Sequence, residues 1–334
     1  MSPLQIKGWV ELDGRRLTVM EIENILTYDP AAISRFGGEF SLSWGTCRAR
    51  DHFGVIQGDC PKGTVLCNGE SPRAIVPTPP EMTLEEAIIT AVSLRSDEGV
   101  TALSGGVDSS LVAKLAGREC IAVGLAGSHD LRQARHAADL LGLSCTYVEI
   151  TPQEVEKALP IVVATIPDKE PVSTGIALTQ YFIARWTGAH GYERIITGQG
   201  ADELFGGYQR YLESAALADD LARDIAGLEG QAARDQSVAA LHGTYLSMPY
   251  LDMRVVRAAL AIPASEKVRG GRRKIPLRTV AECHIPAELA WYGKKAMQYG
   301  SGVWRVMQKL ARKNGYKTSM QDYIDHISRV EHGH

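Results

Sequence analysis

The chain has 334 residues, room for one large or two medium domains. Its 45% apolar and 22% charged residues are those of a globular protein with a sizeable core, not of a disordered or fibrous one. A net charge of −3 gives no global attraction to nucleic acid or to an anionic membrane surface.

The N-terminus shows no signal-peptide pattern, and the longest apolar run, 159–167, is too short to span a bilayer. A cytoplasmic protein is expected. Cys47, Cys60, Cys67, Cys120, Cys145 and Cys283 form no Cys-x-x-Cys pair and no zinc-ligand spacing. Free thiols in a reducing cytosol are the simplest expectation.

In chain order, residues 1–72 read as a small β-rich domain. Phe40-Ser41-Leu42-Ser43-Trp44 alternates as a half-buried strand does, and 62–69 reads as another short strand between turns. Residues 73–82 hold three prolines within four positions, at Pro77, Pro79 and Pro80, and read as a linker. From 83 the pattern becomes alternating helices and strands. A helix is predicted over 84–95 with Thr83 as its cap, and strands over 100–103 and 120–125. Then come a helix over 130–141 that stops at Gly142 and strands over 146–150 and 194–197. Residues 212–262 are Ala-rich and read as helical. The alternation predicts an α/β fold, a doubly wound parallel sheet with ligands at the carboxyl ends of its strands. The small β-rich domain would precede it and a helical part would follow. The core domain is placed at 83–312 and a tail at 313–334.

Ser104-Gly105-Gly106-Val107-Asp108-Ser109-Ser110 lies between the predicted strand over 100–103 and a helix start. Two adjacent glycines let the backbone approach an anion, and the helix N-terminus adds amide donors. The three serines can add hydroxyl donors, and Asp108 can hold a divalent cation against phosphate oxygens. The pattern is not the loop that grips β- and γ-phosphates through a lysine. It resembles the pyrophosphate loop (PP-loop) of the ATP pyrophosphatases, which split ATP into AMP and pyrophosphate. A second glycine motif, Gly198-Gln199-Gly200-Ala201-Asp202-Glu203-Leu204-Phe205-Gly206-Gly207-Tyr208, follows the strand over 194–197. Asp108 and Asp202, from neighbouring strand ends, would bracket one Mg²⁺ on the pyrophosphate.

Together these stretches resemble the synthetase half of asparagine synthetase and its β-lactam-forming relatives. Further matches are Val123-Gly124-Leu125-Ala126-Gly127-Ser128 with Asp130-Leu131, Pro249-Tyr250-Leu251-Asp252, Leu277-Arg278, and 285–294. The resemblance covers residues 96–304. It implies an adenine nucleotide α-hydrolase-like fold and a ligase using ATP and Mg²⁺. A substrate carboxylate would attack the α-phosphorus, and ammonia or an amine would then displace AMP. It places a catalytic lysine at Lys294, with Lys295 as the register alternative; a solvated surface pair is the plainer reading. It places adenine against Leu103, Val123 and Gly198, held by backbone atoms, and Lys274 near the nucleotide. Arg278 is either a phosphate contact or structural. Gly124 to Ser128 alone reads as a turn, and the basic run 268–274 alone as a solvated loop.

Three departures matter. Glutamine-hydrolysing members begin, after Met, with a catalytic cysteine, whereas here Ser2-Pro3 stands and the first cysteine is Cys47. The expectation is that 1–72 is a shortened glutaminase-like remnant that does not hydrolyse glutamine. Nitrogen would then come from ammonia, an amine substrate or a separate glutaminase subunit. Gln199 replaces the glutamate or tyrosine of the relatives; it can orient a carboxylate or amine but cannot act as a general base. Tyr245 and Ser247 replace charged residues before Pro249. Other functions remain open on sequence: tRNA modification by sulphur or nitrogen transfer, against which the missing cysteine pair and basic extension speak, and a non-catalytic nucleotide-binding subunit. The carboxylate, the donor and the choice between monomer and homodimer are not legible.

Overall fold

The computed structural model describes residues 3–293 and 297–332. Its contacts cluster into two units. One comprises Met1–Arg95, Gln199–Ala232 and Ser247–Pro276; the other comprises Ser96–Gly198, Ala233–Leu246 and Leu277–His334.

The first unit opens with a six-stranded antiparallel sheet of β1 (Gln5–Leu12), β2 (Arg15–Arg16), β3 (Gly37–Trp44), β4 (Cys47–Arg50), β5 (Thr64–Cys67) and β6 (Arg73–Ala74), in the order β2-β1-β3-β4-β5-β6. A helix unforeseen in the sequence, α1 (Val19–Tyr28), starts at Thr18, whose hydroxyl accepts from the Glu21 amide while the Glu21 carboxylate accepts from the Thr18 amide. Val10, Ile22, Phe36, Phe40, Leu42 and Val65 form the core of this region.

The register places Cys47 directly opposite Cys67, and the two are joined as a disulfide. This corrects the expectation of six free thiols. Pairing across an antiparallel ladder is set by strand register, which cysteine spacing does not reveal. Cys60, Cys120, Cys145 and Cys283 are free.

A buried ionic network ties this sheet to helices later in the same unit. Glu39 on β3 accepts from Trp9 Nε1 (3.1 Å), Arg95 Nε (2.9 Å), the Met248 amide (2.7 Å) and the Ser247 hydroxyl. Arg95 follows α2 (Leu84–Ser93) and also pairs with Asp252 at 3.0 Å. Asp252 caps the helix Met253–Leu260 and pairs with Arg254 at 3.0 Å, which reaches Glu11 at 2.9 Å. The Arg95 guanidinium also lies over the Trp9 ring at 4.9 Å.

In the second unit, β7 (Val100–Ala102), β8 (Cys120–Leu125), β9 (Cys145–Ile150), β10 (Arg194–Ile196) and β11 (Tyr245–Ser247) form a sheet in the order β11-β10-β7-β8-β9. The β10–β7, β7–β8 and β8–β9 pairs are parallel. Between them run α3 (Val107–Ala116), α4 (His129–Leu141), α5 (Pro152–Thr165) and α6 (Pro171–Ala189). Gly117 (φ 59°) and Gly142 (φ 66°) end α3 and α4 in the left-handed conformation. The doubly wound parallel sheet is the fold read from the sequence. β11 corrects the reading of 212–262 as helical throughout: a three-residue strand beside an Ala-rich run has too short a period to register. Strand order reverses between β7 and β10, so the crevice at their carboxyl ends is the switch point where ligands bind such sheets.

Candidate active site

At the carboxyl end of β7, Leu103 is buried and the chain turns through Gly105 at φ +73°. A Cβ there would also lie 2.6 Å from the Gln133 carbonyl carbon and oxygen, so both conformation and space require glycine. Gly106 caps α3 with no side-chain bond to its first amides. The Ser109 hydroxyl braces the loop, accepting from the Ser104 amide (3.2 Å), bonding Ser104 Oγ (2.9 Å) and donating to the Gly106 carbonyl (3.2 Å). Ser110 is fully buried and its hydroxyl has no protein partner among the described residues. Asp108 lies in the first turn of α3. Val123, near the carboxyl end of β8, is buried.

Gly198 follows β10 by two residues. A Cβ on it would sit 2.9 Å from the Ser109 amide nitrogen and 3.0 Å from Asp108 Cβ. The two predicted glycine loops therefore meet here, and the meeting needs a residue without a side chain. Leu103, Ser104, Gly105, Gly106, Asp108, Ser109, Ser110, Val123 and Gly198 all belong to this unit. Loop amides, the start of a ten-residue helix and serine hydroxyls form a donor set suited to a polyphosphate.

The other unit carries the rest of the second motif. Gln199 is half-buried, and Gly200 turns the chain at φ +87° into α7 (Ala201–Phe205). Asp202 pairs with Lys274 Nζ at 2.7 Å. Lys274 is 5% exposed and holds φ +57°, a left-handed conformation uncommon outside glycine. Gly207 lies against both: a Cβ on it would be 2.7 Å from Asp202 Cγ and would collide with Lys274 Cε. Arg273 donates to the Gly207 carbonyl. The adjacent Glu203 is 2% exposed and accepts from Gln231 Nε2 (2.8 Å) and the Tyr208 hydroxyl. Burial raises its carboxyl above the usual range. Of the two neighbouring carboxylates, Asp202 has the accessible side chain, and Glu203 is bound into the fold.

Among the described residues no three His, Cys, Asp or Glu side chains cluster as a metal site. Mg²⁺ commonly takes only one or two carboxylates, with phosphate oxygens and waters completing the octahedron. Asp108 and Asp202 are carboxylates of that chemical type and lie one in each unit.

Lys294 and Lys295 lie outside the described residues. The chain leading to them is held by Arg278, which donates to the carbonyls of Ala290 (2.6 Å) and Tyr292 (3.1 Å). Ser128 caps α4 and accepts from the Leu131 amide at 3.4 Å, so the Gly124 to Ser128 stretch is both a turn and a helix start. Sequence reasoning missed the Gly207 wedge, the Glu203–Tyr208 pair and the Arg278 brace. The paired glycines at 206–207 were the one available signal.

A parallel sheet with a glycine loop at its switch point defines a doubly wound α/β class of protein. Residues 83–237 and 226–326 match the Asparagine synthase family model, and the chain belongs to that family. A Methanocaldococcus jannaschii protein bearing the name of a glutamine-hydrolyzing asparagine synthetase is 33% identical over 68% of this chain and 50% of its own length. The carboxyethyl-arginine beta-lactam-synthase of Streptomyces clavuligerus is 30% identical over 75% of this chain and 48% of its own. Asparagine synthetase B of Escherichia coli is 30% identical over 60% and 41%. The chain thus spans about half the length of the curated relatives it matches. A solved NMN synthetase from Francisella tularensis aligns with 76% of this chain and 96% of its own at 16% identity and a TM-score of 0.32.

Proposed function

We propose that this chain is an ATP-dependent ligase that joins a carboxylate to ammonia or an amine through an acyl-adenylate. The family is one of ATP-dependent amide-forming ligases. The observation that carries the reading is the close meeting of the Gly198 loop with Ser109 and Asp108 at the switch point of the sheet.

In the proposed reaction a carboxylate oxygen attacks the α-phosphorus of ATP, and the bond to the bridging α–β oxygen breaks, releasing pyrophosphate. The loop amides over 104–110 and the start of α3 hold the departing phosphates. Leu103, Val123 and the Gly198 backbone flank adenine. Asp108 and Asp202 would hold Mg²⁺, which when bound neutralises charge on the pyrophosphate. Lys274 contributes a cation beside Asp202. The nitrogen nucleophile then attacks the acyl carbon, the carbon–oxygen bond to AMP breaks, and Lys294 stabilises the acyl oxygen. Gln199 orients the second substrate by hydrogen bonding and takes no proton.

Product identity tests this reading. Turnover yields AMP and pyrophosphate, and Asp108→Ala abolishes it. ADP and phosphate as products, or full activity in Asp108→Ala, would contradict it.

A further inference from the structure

The parallel sheet of the second unit has a cavity of about 450 Å³ at the amino ends of β7, β8 and β10, opposite the strand ends that lead into the glycine loops. Three segments line it: Asp97–Gly99 before β7, Arg118–Glu119 before β8 and Gly191–Glu193 before β10. All belong to one unit. β7 lies between the other two strands, with Ile195 opposite Val100 and Cys120 opposite Thr101. Arg118 and Glu193 therefore flank the start of β7 from opposite sides, two strand spacings or about 10 Å apart along the backbone.

Most charges on the wall are already committed. Arg194 is 1% exposed, and its guanidinium pairs with Glu98 at 2.8 Å and with Asp97. Glu119 accepts from the Tyr192 hydroxyl at 3.0 Å and from the Thr146 hydroxyl at 3.1 Å. The Tyr192 ring is backed by Trp186, with centroids 6.4 Å and planes 20° apart. These contacts fix the walls before any ligand arrives. Two groups are left over. Arg118 donates from Nε to the Ser96 carbonyl at 2.7 Å, and its two terminal nitrogens have no hydrogen-bond or ion-pair partner among the described residues. The Glu193 carboxylate has none among them either.

One uncommitted cation and one uncommitted anion in a single cavity suit a ligand that carries both charges. A planar guanidinium takes a carboxylate in two parallel hydrogen bonds, and a carboxylate takes an ammonium. The rest of the wall is net negative, with Asp97, Glu98 and Glu119 against Arg194 alone. That residual charge favours a ligand with a further cation and opposes one with a further anion. The carboxylates are not grouped for a metal ion: among the described residues no three His, Cys, Asp or Glu side chains come together as one.

We propose that this cavity binds a free basic amino acid, with its α-carboxylate on Arg118, its α-ammonium on Glu193 and its side-chain cation toward the remaining carboxylates. The site is separate from the glycine loops, and no step of the proposed reaction is needed for it.

Calorimetric titration of the full chain with L-arginine and L-lysine, without nucleotide, tests this. Saturable binding of one equivalent is expected. Agmatine, which lacks the carboxylate, and the deaminated analogue of arginine, which lacks the α-ammonium, should each bind about tenfold or more weaker, and L-aspartate weaker still. Arg118→Gln and Glu193→Gln should each weaken arginine binding by about tenfold or more, and Arg118→Lys should recover part of the first loss. The two side chains lie on different segments, so one variant decides if the other fails to fold. No saturable binding of arginine or lysine up to about 10 mM overturns the proposal. Agmatine as tight as arginine overturns it in favour of a plain cation site, and aspartate as tight as arginine overturns it as well. Unchanged arginine binding in either folded glutamine variant overturns it by placing the ligand elsewhere, the catalytic centre included.

Discussion

Asp202 and Glu203 are neighbours in the chain with different environments, and their variants should separate accordingly. Asp202→Asn removes an accessible carboxylate beside Lys274 and should cost activity about 10²-fold or more with little change in stability. Glu203→Gln turns an acceptor into a partial donor facing Tyr208 and Gln231, and should cost about 1–3 kcal/mol of stability. Urea unfolding and turnover on both variants check this; interchanged effects would reverse the assignment. Gly207→Ala should resemble Asp202→Asn, because its Cβ would displace the Asp202–Lys274 pair.

A second residue-scale prediction concerns pH. Burial pushes the His52 imidazole down to about 4, helped by Lys62 and Arg257. Its depressed folded value means that it contributes stability above its unfolded value near 6.5, lost as pH falls through about 4. Burial pushes the adjacent Asp51 carboxyl up to about 6, so Asp51 works in the opposite sense: its contribution is full below about 4 and lost as pH rises through about 6. His52→Gln should therefore flatten the acid loss of stability between pH 6.5 and 4, by on the order of 1 kcal/mol after allowance for partial exposure. Thermal melts at pH 7 and 4.5 read it; an unchanged drop would contradict it.

At the scale of elements, the buried network is the clearest target. Arg95 is 1% exposed and serves both Glu39 and Asp252, so Arg95→Met takes one cationic partner from each of two buried carboxylates. The expected loss is about 3–5 kcal/mol, read as a lower urea midpoint. The Cys47–Cys67 disulfide closes a separation of 20 residues, and its reduction should destabilise by about 3 kcal/mol in the chain-entropy picture. Thiol titration of the unfolded, unreduced chain should count four reactive cysteines; six would remove the disulfide.

These same elements show how far the sequence could be read. β8 and α4 were legible because Cys120–Leu125 is a continuous apolar run and Gly142 punctuates a strong helical period. The two glycine loops were legible because a close anion or backbone approach leaves few other residues possible. β11 was not, since Tyr245–Ser247 is three residues whose neighbours dominate any window. The disulfide and the Glu39 network depend on residues distant in the chain meeting through register and packing, which no local pattern carries. The left-handed backbone at Lys274 was invisible for the same reason: nothing in its basic surroundings signals φ above zero.

At the scale of the molecule, the chain is a member of the asparagine synthase family that contains the parallel sheet and both glycine loops. Among the described residues no helix is long and apolar enough to cross a membrane. The central claim is that a carboxylate attacks the α-phosphorus of ATP. Exchange of labelled pyrophosphate into ATP, measured with Mg²⁺ across a panel of carboxylic acids, tests it most directly. The account predicts exchange that depends on one class of acid, needs no amine and disappears in Asp108→Ala. ATP consumption to ADP and phosphate, with no exchange for any acid, would contradict it.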